Sequence, residues 1–104
     1  MKRRRLGSLE VSAIGLGAPI YGETREEDVV ALIRRAVALG VDLIDTADQY
    51  LNGTHEEFVG RALKGMRNQI VLATKFGNIR DEHGRPAVDG RPAYVAAAYE
   101  KSLK

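Results

Sequence analysis

Three short apolar runs, at residues 11–16, 41–44 and 70–74, are centred on Ile14, Leu43 and Leu72, and successive centres lie 29 residues apart. Each run is rich in branched side chains and apolar through its middle, the pattern of a strand buried on both faces. A step of that length accommodates one strand, one helix and two loops. The repeat therefore constrains the fold more than any compositional feature does. Strands and helices alternating over short connections predict a parallel sheet with right-handed crossovers.

The segments between the runs carry helix punctuation. Thr24-Arg25-Glu26-Glu27 fits a capping box, with the Thr24 hydroxyl placed for a free amide and Glu27 reaching back. Val29, Ile33, Ala36 and Val37 mark one apolar face, and Gly40 supplies a left-handed stop. The same grammar recurs in Thr54-His55-Glu56-Glu57, followed by Val59, Ala62, Leu63 and Met66, with Gly65 near the end. A third helix opens at Pro92, a good first-turn residue, and runs through Val95 and Tyr99 towards Leu103. Ahead of the repeat, residues 3–11 read as a small hairpin turning at Gly7-Ser8. Residues 77–91 read as a long polar loop at a strand's C-terminal end, a common place for function.

Composition narrows the function classes. A length of 104 residues predicts one domain, spanning 1–104, and 44% hydrophobic with 29% charged residues excludes a disordered chain. The 16 basic and 14 acidic residues nearly cancel, and much of the excess sits in Lys2, Arg3, Arg4 and Arg5. No stacking aromatics accompany that basic run, which argues against a nucleic-acid partner. Without cysteine there are no disulfides, thiolate metal sites or cysteine nucleophile, and no metal-ligand spacing is present. No apolar core of signal-peptide length follows the basic start, and no stretch approaches the roughly 20 apolar residues of a membrane helix. The expectation is a soluble, cytoplasmic protein with no membrane partner.

The chemistry-bearing residues collect where the runs end. The second run leads into Asp45-Thr46-Ala47-Asp48-Gln49-Tyr50, the third into Lys75, and Gly15 and Gly17 lie at the end of the first. In parallel α/β folds the ligand site lies at the strand C-termini, so these positions converge on one rim. An aspartate and a lysine at neighbouring strand ends come within salt-bridge range. A free phenol, with a pKa of about 10, is a sluggish proton donor at neutral pH. An ammonium about 4 Å away, at an effective dielectric of about 20, is worth about 4 kcal/mol to the ionised phenol. Lys75, kept charged and in place by Asp45, would thus make Tyr50 a general acid suited to protonating a carbonyl oxygen. Tyr21, Tyr94 and Tyr99 lack such company and read as packing or rim residues. His83 reads as a loop histidine and His55 as an exposed helix-start residue.

The stretch Val41-Asp42-Leu43-Ile44-Asp45-Thr46-Ala47-Asp48-Gln49-Tyr50, then Gly53, Glu56-Glu57 and Gly60-Arg61-Ala62-Leu63, resembles the aldo-keto reductase signature. Ile70-Val71-Leu72-Ala73-Thr74-Lys75-Phe76-Gly77 resembles the family's lysine-bearing third strand, and Leu6-Gly7 with Gly15-Leu16-Gly17 resembles its opening. The resemblance implies the N-terminal part of a (β/α)8 TIM barrel, about three βα units preceded by a small hairpin. It implies reduction of a small-molecule aldehyde or ketone by NADPH, with NADH as the alternative cofactor. Tyr50 would be the proton donor, Lys75 would strengthen it, and Asp45 would support the lysine beside the nicotinamide ribose. Gly17, Ala18 and Pro19 match the stretch that approaches cofactor and substrate. The family's catalytic histidine ends the fourth strand, which would begin past Lys104, and its phosphate- and adenine-binding loops come later still. His83 precedes the third helix and cannot take that role.

The third helix reaches Lys104 without a stop signal, and three strands leave open edges and an uncovered sheet face. This predicts the first part of a longer domain, inactive by itself and prone to self-association through its exposed sheet edges. The rival is a non-catalytic half-barrel module that associates with a complementary chain. A Rossmann domain is a weaker alternative. Gly15-Leu16-Gly17-Ala18-Pro19-Ile20 lacks the third glycine, and Asp45 lies 28 residues beyond Gly17, late for a ribose-binding acid.

Overall fold

A computed structural model describes residues 1–20 and 23–104, so Tyr21, read as a packing or rim residue, lies outside the described residues. The chain opens with an antiparallel hairpin, β1 (Arg3–Leu6) and β2 (Leu9–Ser12), in which Arg3 pairs with Ser12 and Leu6 with Leu9. Three parallel strands follow, β3 (Leu16–Gly17), β4 (Leu43–Asp45) and β5 (Val71–Ala73), side by side in chain order. Helix α1 (Glu26–Ala38) connects β3 to β4, and α2 (His55–Ala62) connects β4 to β5. A second hairpin, β6 (Asn78–Arg80) with β7 (Pro86–Val88), precedes α3 (Pro92–Ser102). Among the described residues no helix is long and apolar enough to cross a membrane.

The core lies between the sheet and the first two helices. Val29 and Ile33 of α1, Ile44 of β4, Val59 and Ala62 of α2 and Leu63 just past its end are all buried, with Val41 and Ile70 closing the ends. These are the helix faces that the periodicity marks. Ile44 lies in register with Leu16 and Leu72, and all three pack into this cluster. Side chains alternate along a strand, so Asp45, next to Ile44, turns to the other face of the sheet. Gly40 ends α1 at φ +97, a conformation that costs a side-chain-bearing residue, and its amide closes on Val37 O at 2.9 Å.

Three local expectations need correction. The run at residues 11–16 is not one strand. Val11 and Ser12 belong to β2, and Ile14, its supposed centre, is 63% exposed. The cause is a reciprocal exchange in which the Ser12 amide donates to Asp42 Oδ1 at 2.7 Å and the Asp42 amide donates to Ser12 Oγ at 3.0 Å. Arg3 adds an ion pair to Asp42 at 2.7 Å, so the hairpin is locked onto the start of β4 rather than extended into the sheet.

Neither N-cap residue makes a side-chain cap bond. Helix α1 starts one residue later than the capping box requires, with Arg25 at the N-cap and no side-chain cap bond; Arg25 instead grips Asp28 at 3.0 Å. Thr54 caps α2 in position, but its helical φ of −88 turns the hydroxyl back to Leu51 O at 2.7 Å. Three acidic residues in the first turn of α1 still complement the positive end of the helix dipole.

The stretch at 77–91 is a hairpin rather than an irregular loop. Asp81 organises its turn by accepting from the amides of His83 and Arg85, and His83 is exposed there as expected. At its exit, Asp89 accepts from the Arg91 amide at 3.0 Å and from the Arg91 guanidinium at 2.7 Å, fixing the entry into α3. These bonds lower the Asp89 carboxyl from 3.8 to about 2, the guanidinium contributing most. A depressed carboxyl stabilises the fold above its unfolded pKa and loses that contribution as pH falls through the folded one. Asp89→Asn is therefore expected to remove part of the stability loss seen between pH 4 and about 2. Thermal midpoints of both proteins across that range measure it; parallel curves would show that the turn is not linked to folding.

Candidate active site

The rim is built by register. Gly17, the last residue of β3, pairs with Asp45, the last of β4, and Asp45 pairs with Ala73, the last of β5. The Thr46 amide donates to Ala73 O at 2.9 Å and the Asp48 amide to Lys75 O at 3.0 Å. The chain leaving β4 is thereby held against the chain leaving β5, and their side chains meet. Lys75 Nζ donates to Asp45 Oδ2 at 2.5 Å and to Thr46 O at 2.8 Å. The same nitrogen lies 5.2 Å from the centre of the Tyr50 ring.

Burial lowers the Lys75 pKa, but the hydrogen bond and charge of Asp45, helped by Tyr50, outweigh it, and the ammonium stands above its ordinary value. Lys75 is therefore protonated throughout the neutral range. Its stabilising pairing holds below the unfolded lysine pKa and is lost only as pH rises through the higher folded one. Asp45 and Lys75 are each 46% exposed, so solvent screens the pair and its worth lies in placing charge rather than in stability.

Tyr50 opens a 3-10 turn, Tyr50–Gly53, in which Leu51 and Asn52 take positive φ of 51 and 55. Left-handed backbone costs a non-glycine residue about 1–2 kcal/mol, so this turn holds its shape under strain. Gly53 completes it at φ +91.

The structure brings Asp45, Lys75, Tyr50 and Gly17 to one rim. It treats Ala18 and Pro19 differently. Ala18 is buried in the core cluster and Pro19 half-buried, so at Ala18 only the backbone is left for a ligand. His55 corrects the sequence expectation outright, because it is fully buried instead of exposed. Its Nδ1 lies 2.6 Å from Thr46 Oγ1, and its ring stands edge-on to Tyr50 with centroids 5.8 Å apart. Burial lowers its pKa, against an opposing push from Glu56. A second unforeseen contact joins α3 to the rim, where the Tyr94 hydroxyl donates to Asp48 Oδ2 at 2.7 Å. That bond, with burial, raises the Tyr94 pKa. Tyr94 is a rim residue, as the sequence suggests, while Tyr99 is exposed.

The family model described as the aldo/keto reductase family matches residues 13–104. The chain belongs to the aldo/keto reductase family. It is 39% identical to an uncharacterized oxidoreductase of Bacillus subtilis over 99% of its own length and 34% of the relative's. Among solved structures, an aldo-keto reductase from Bacillus halodurans in its holo form superposes with a TM-score of 0.85 at 43% identity, over 99% of this chain and 35% of that one. An aldo-keto reductase from Klebsiella pneumoniae in complex with NADPH gives 0.70 at 35% identity, over 90% of this chain and 31% of that one. The parallel unit β3-α1-β4-α2-β5, with its opening hairpin, is thus the N-terminal portion of a (β/α)8 barrel. The chain spans about a third of the length of these relatives.

Within this aldo/keto reductase chain the rim fits part of a nicotinamide cofactor. Asp45 commits Oδ2 to Lys75, and among the described residues Oδ1 remains a free acceptor. A side chain built at Gly17 would meet nothing within 4 Å, so the strand end beside Asp45 is open to a bound group.

Proposed function

We propose that Asp45, Tyr50 and Lys75 are the proton-delivering part of an NADPH-dependent site that reduces aldehydes or ketones to alcohols, with NADH as an alternative cofactor. One observation carries this reading: a single protonated lysine is bonded to Asp45 and to the Thr46 carbonyl while lying 5.2 Å from the Tyr50 ring. The NADPH complex of the Klebsiella relative supports the choice of cofactor.

When bound, the reduced nicotinamide supplies hydride to the carbonyl carbon. The residues of this chain do the rest. The Tyr50 hydroxyl donates a hydrogen bond to the substrate oxygen and gives up its proton as negative charge grows there. Lys75 stabilises the phenolate left behind, an electrostatic effect that exists only as the proton moves and therefore accelerates the step. Asp45 holds Lys75 charged and offers its second oxygen to the ribose. The backbone of Gly17 and Ala18, with Pro19 beyond it, flanks the same opening. The work is that of a cytoplasmic enzyme on a small-molecule carbonyl, within one barrel domain.

The test is carbonyl-dependent oxidation of NADPH by the full gene product, followed through the absorbance of the reduced cofactor. Lys75→Met is expected to lower kcat roughly 100-fold. Met fills the lysine's space but leaves Asp45 without a counter-charge and Tyr50 without its ammonium. Wild-type turnover in Lys75→Met would remove the proposed mechanism.

A second reading has its own observation. A groove of about 480 Å³ runs beside β5 between α2 and α3, lined by Val59, Leu63, Leu72, Tyr99 and Leu103, and it excludes Tyr50, Lys75 and Asp45. With β3 and β5 as open sheet edges, it suits a module that associates with a complementary chain or with itself. A stable complex on size-exclusion chromatography without any NADPH oxidation would favour that reading over the enzyme.

A further inference from the structure

His55 takes no part in proton delivery, and yet it is fully buried at the base of the turn that carries Tyr50. Its surroundings are specific. Nδ1 is bound to Thr46 Oγ1 at 2.6 Å, and the carbonyl of the same Thr46 accepts from Lys75 Nζ at 2.8 Å. The Tyr50 ring touches both branches of this fork, standing 80° to the His55 ring on one side and 5.2 Å from Lys75 Nζ on the other. A single residue at the end of β4 thus references the phenol ring to the ammonium.

The turn needs such an anchor. Leu51 and Asn52 follow Tyr50 in left-handed backbone, and the bond from the Tyr50 amide to Ala47 O is long, at 3.4 Å. Strained backbone persists where its surroundings over-determine it. At the far end of the turn that role falls to Thr54, bonded back to Leu51 O, and to the buried imidazole next to it. Packing alone does not account for a histidine here. His55 Nε2 is buried without a hydrogen-bond partner among the described residues, a cost that an apolar side chain of similar size would avoid.

We propose that His55 is a positioning residue for the proton transfer: its neutral imidazole, tethered to Thr46, fixes the Tyr50 ring against Lys75. The inference rests on Tyr50 being the proton donor. It concerns a different residue from the family histidine that the resemblance places after the third helix. Burial, which holds the imidazole below its ordinary pKa, is consistent with the neutral form at pH 7.

The test compares His55→Leu, His55→Asn and Thr46→Val in the full gene product, with Tyr50→Phe alongside. Two quantities are read: the separate kcat and KM of carbonyl reduction, and the NMR signals of the Tyr50 ring. His55→Leu keeps the bulk and loses the tether, so kcat is expected to fall about 10- to 100-fold, the effect of a misplacement of about 1 Å. The KM for NADPH should stay unchanged, and the Tyr50 ring signals should shift and average. His55→Asn places an amide where Nδ1 was and should restore most of kcat, which a loss of packing alone would not allow. Thr46→Val should follow His55→Leu, because it removes the hydroxyl and leaves the carbonyl that holds Lys75. It carries the test if His55→Leu fails to fold. Wild-type kcat and ring signals in Thr46→Val or His55→Leu, with Tyr50→Phe inactive, would overturn the positioning role and leave the proton-delivery reading standing. Full activity in Tyr50→Phe would instead remove that reading, and this inference with it.

Discussion

Tyr50→Phe in the full gene product is expected to lose about 10²- to 10⁴-fold in kcat, the usual contribution of a positioned general acid. That range corresponds to about 3–5 kcal/mol of activation free energy. The substitution isolates one atom. A phenyl ring keeps the edge contact with His55 and the position beneath the Lys75 ammonium. Tyr50 is half-buried, so deleting its hydroxyl leaves no sealed cavity. Lys75 stays paired with Asp45 and Thr46, neither of which involves the phenol. Folding and cofactor affinity should therefore match wild type, and only the barrier to proton delivery should rise. Steady-state turnover, a thermal melt and an NADPH fluorescence titration together check this. Undiminished kcat would mean that the substrate oxygen takes its proton elsewhere.

Much of this site is legible in the sequence because it depends on strand ends. The 29-residue step brings the C-terminal ends of consecutive strands level, so Asp45 and Lys75 had to meet once the sheet was parallel. What stayed hidden depends on pairs that the local pattern does not encode. His55 follows a helix-capping threonine and looks exposed, but its imidazole is bound to Thr46, nine residues earlier at the other end of the β4–α2 connection. Residues 11–16 look like a single strand, but Asp42, thirty residues away, captures the Ser12 amide and keeps Val11 and Ser12 in the hairpin. The hairpin at 77–91 has strands of three residues, too short to show alternation, and its turn is set by Asp81 reaching two amides. Periodicity reads a face and a length. It does not read which polar side chain closes across the sheet.

The largest stability effect is expected at Ile44→Ala. Ile44 has no exposed surface and sits at the middle of the middle strand, in register with Leu16 on one side and Leu72 on the other. In the same cluster lie Val29 and Ile33 of α1, Val59 of α2 and Leu63 just past its end. Truncation removes buried carbon atoms and leaves a cavity that the flanking strands, fixed by their hydrogen bonds, cannot close. Such changes cost about 2–5 kcal/mol, a large part of the roughly 5–15 kcal/mol that holds a domain of ordinary size folded. At about 4–8 °C per kcal/mol for a small domain, the midpoint should fall by at least about 8 °C. Leu32→Ala, at an exposed leucine on the outer side of α1, should by contrast change stability by no more than about 0.5 kcal/mol. The two results together locate the core between the sheet and the helices. The effect should also reach the chemistry, because the next residues after Ile44 are Asp45 and Thr46, the two that hold Lys75. If β4 shifts to fill the cavity, kcat should fall in Ile44→Ala even at temperatures where the protein remains folded, and it should do so without any change to Tyr50 itself. Full turnover in a folded Ile44→Ala protein would show that the rim tolerates movement of the strand that builds it, and a melt within 2–3 °C of wild type, about 0.5 kcal/mol, would place the core elsewhere.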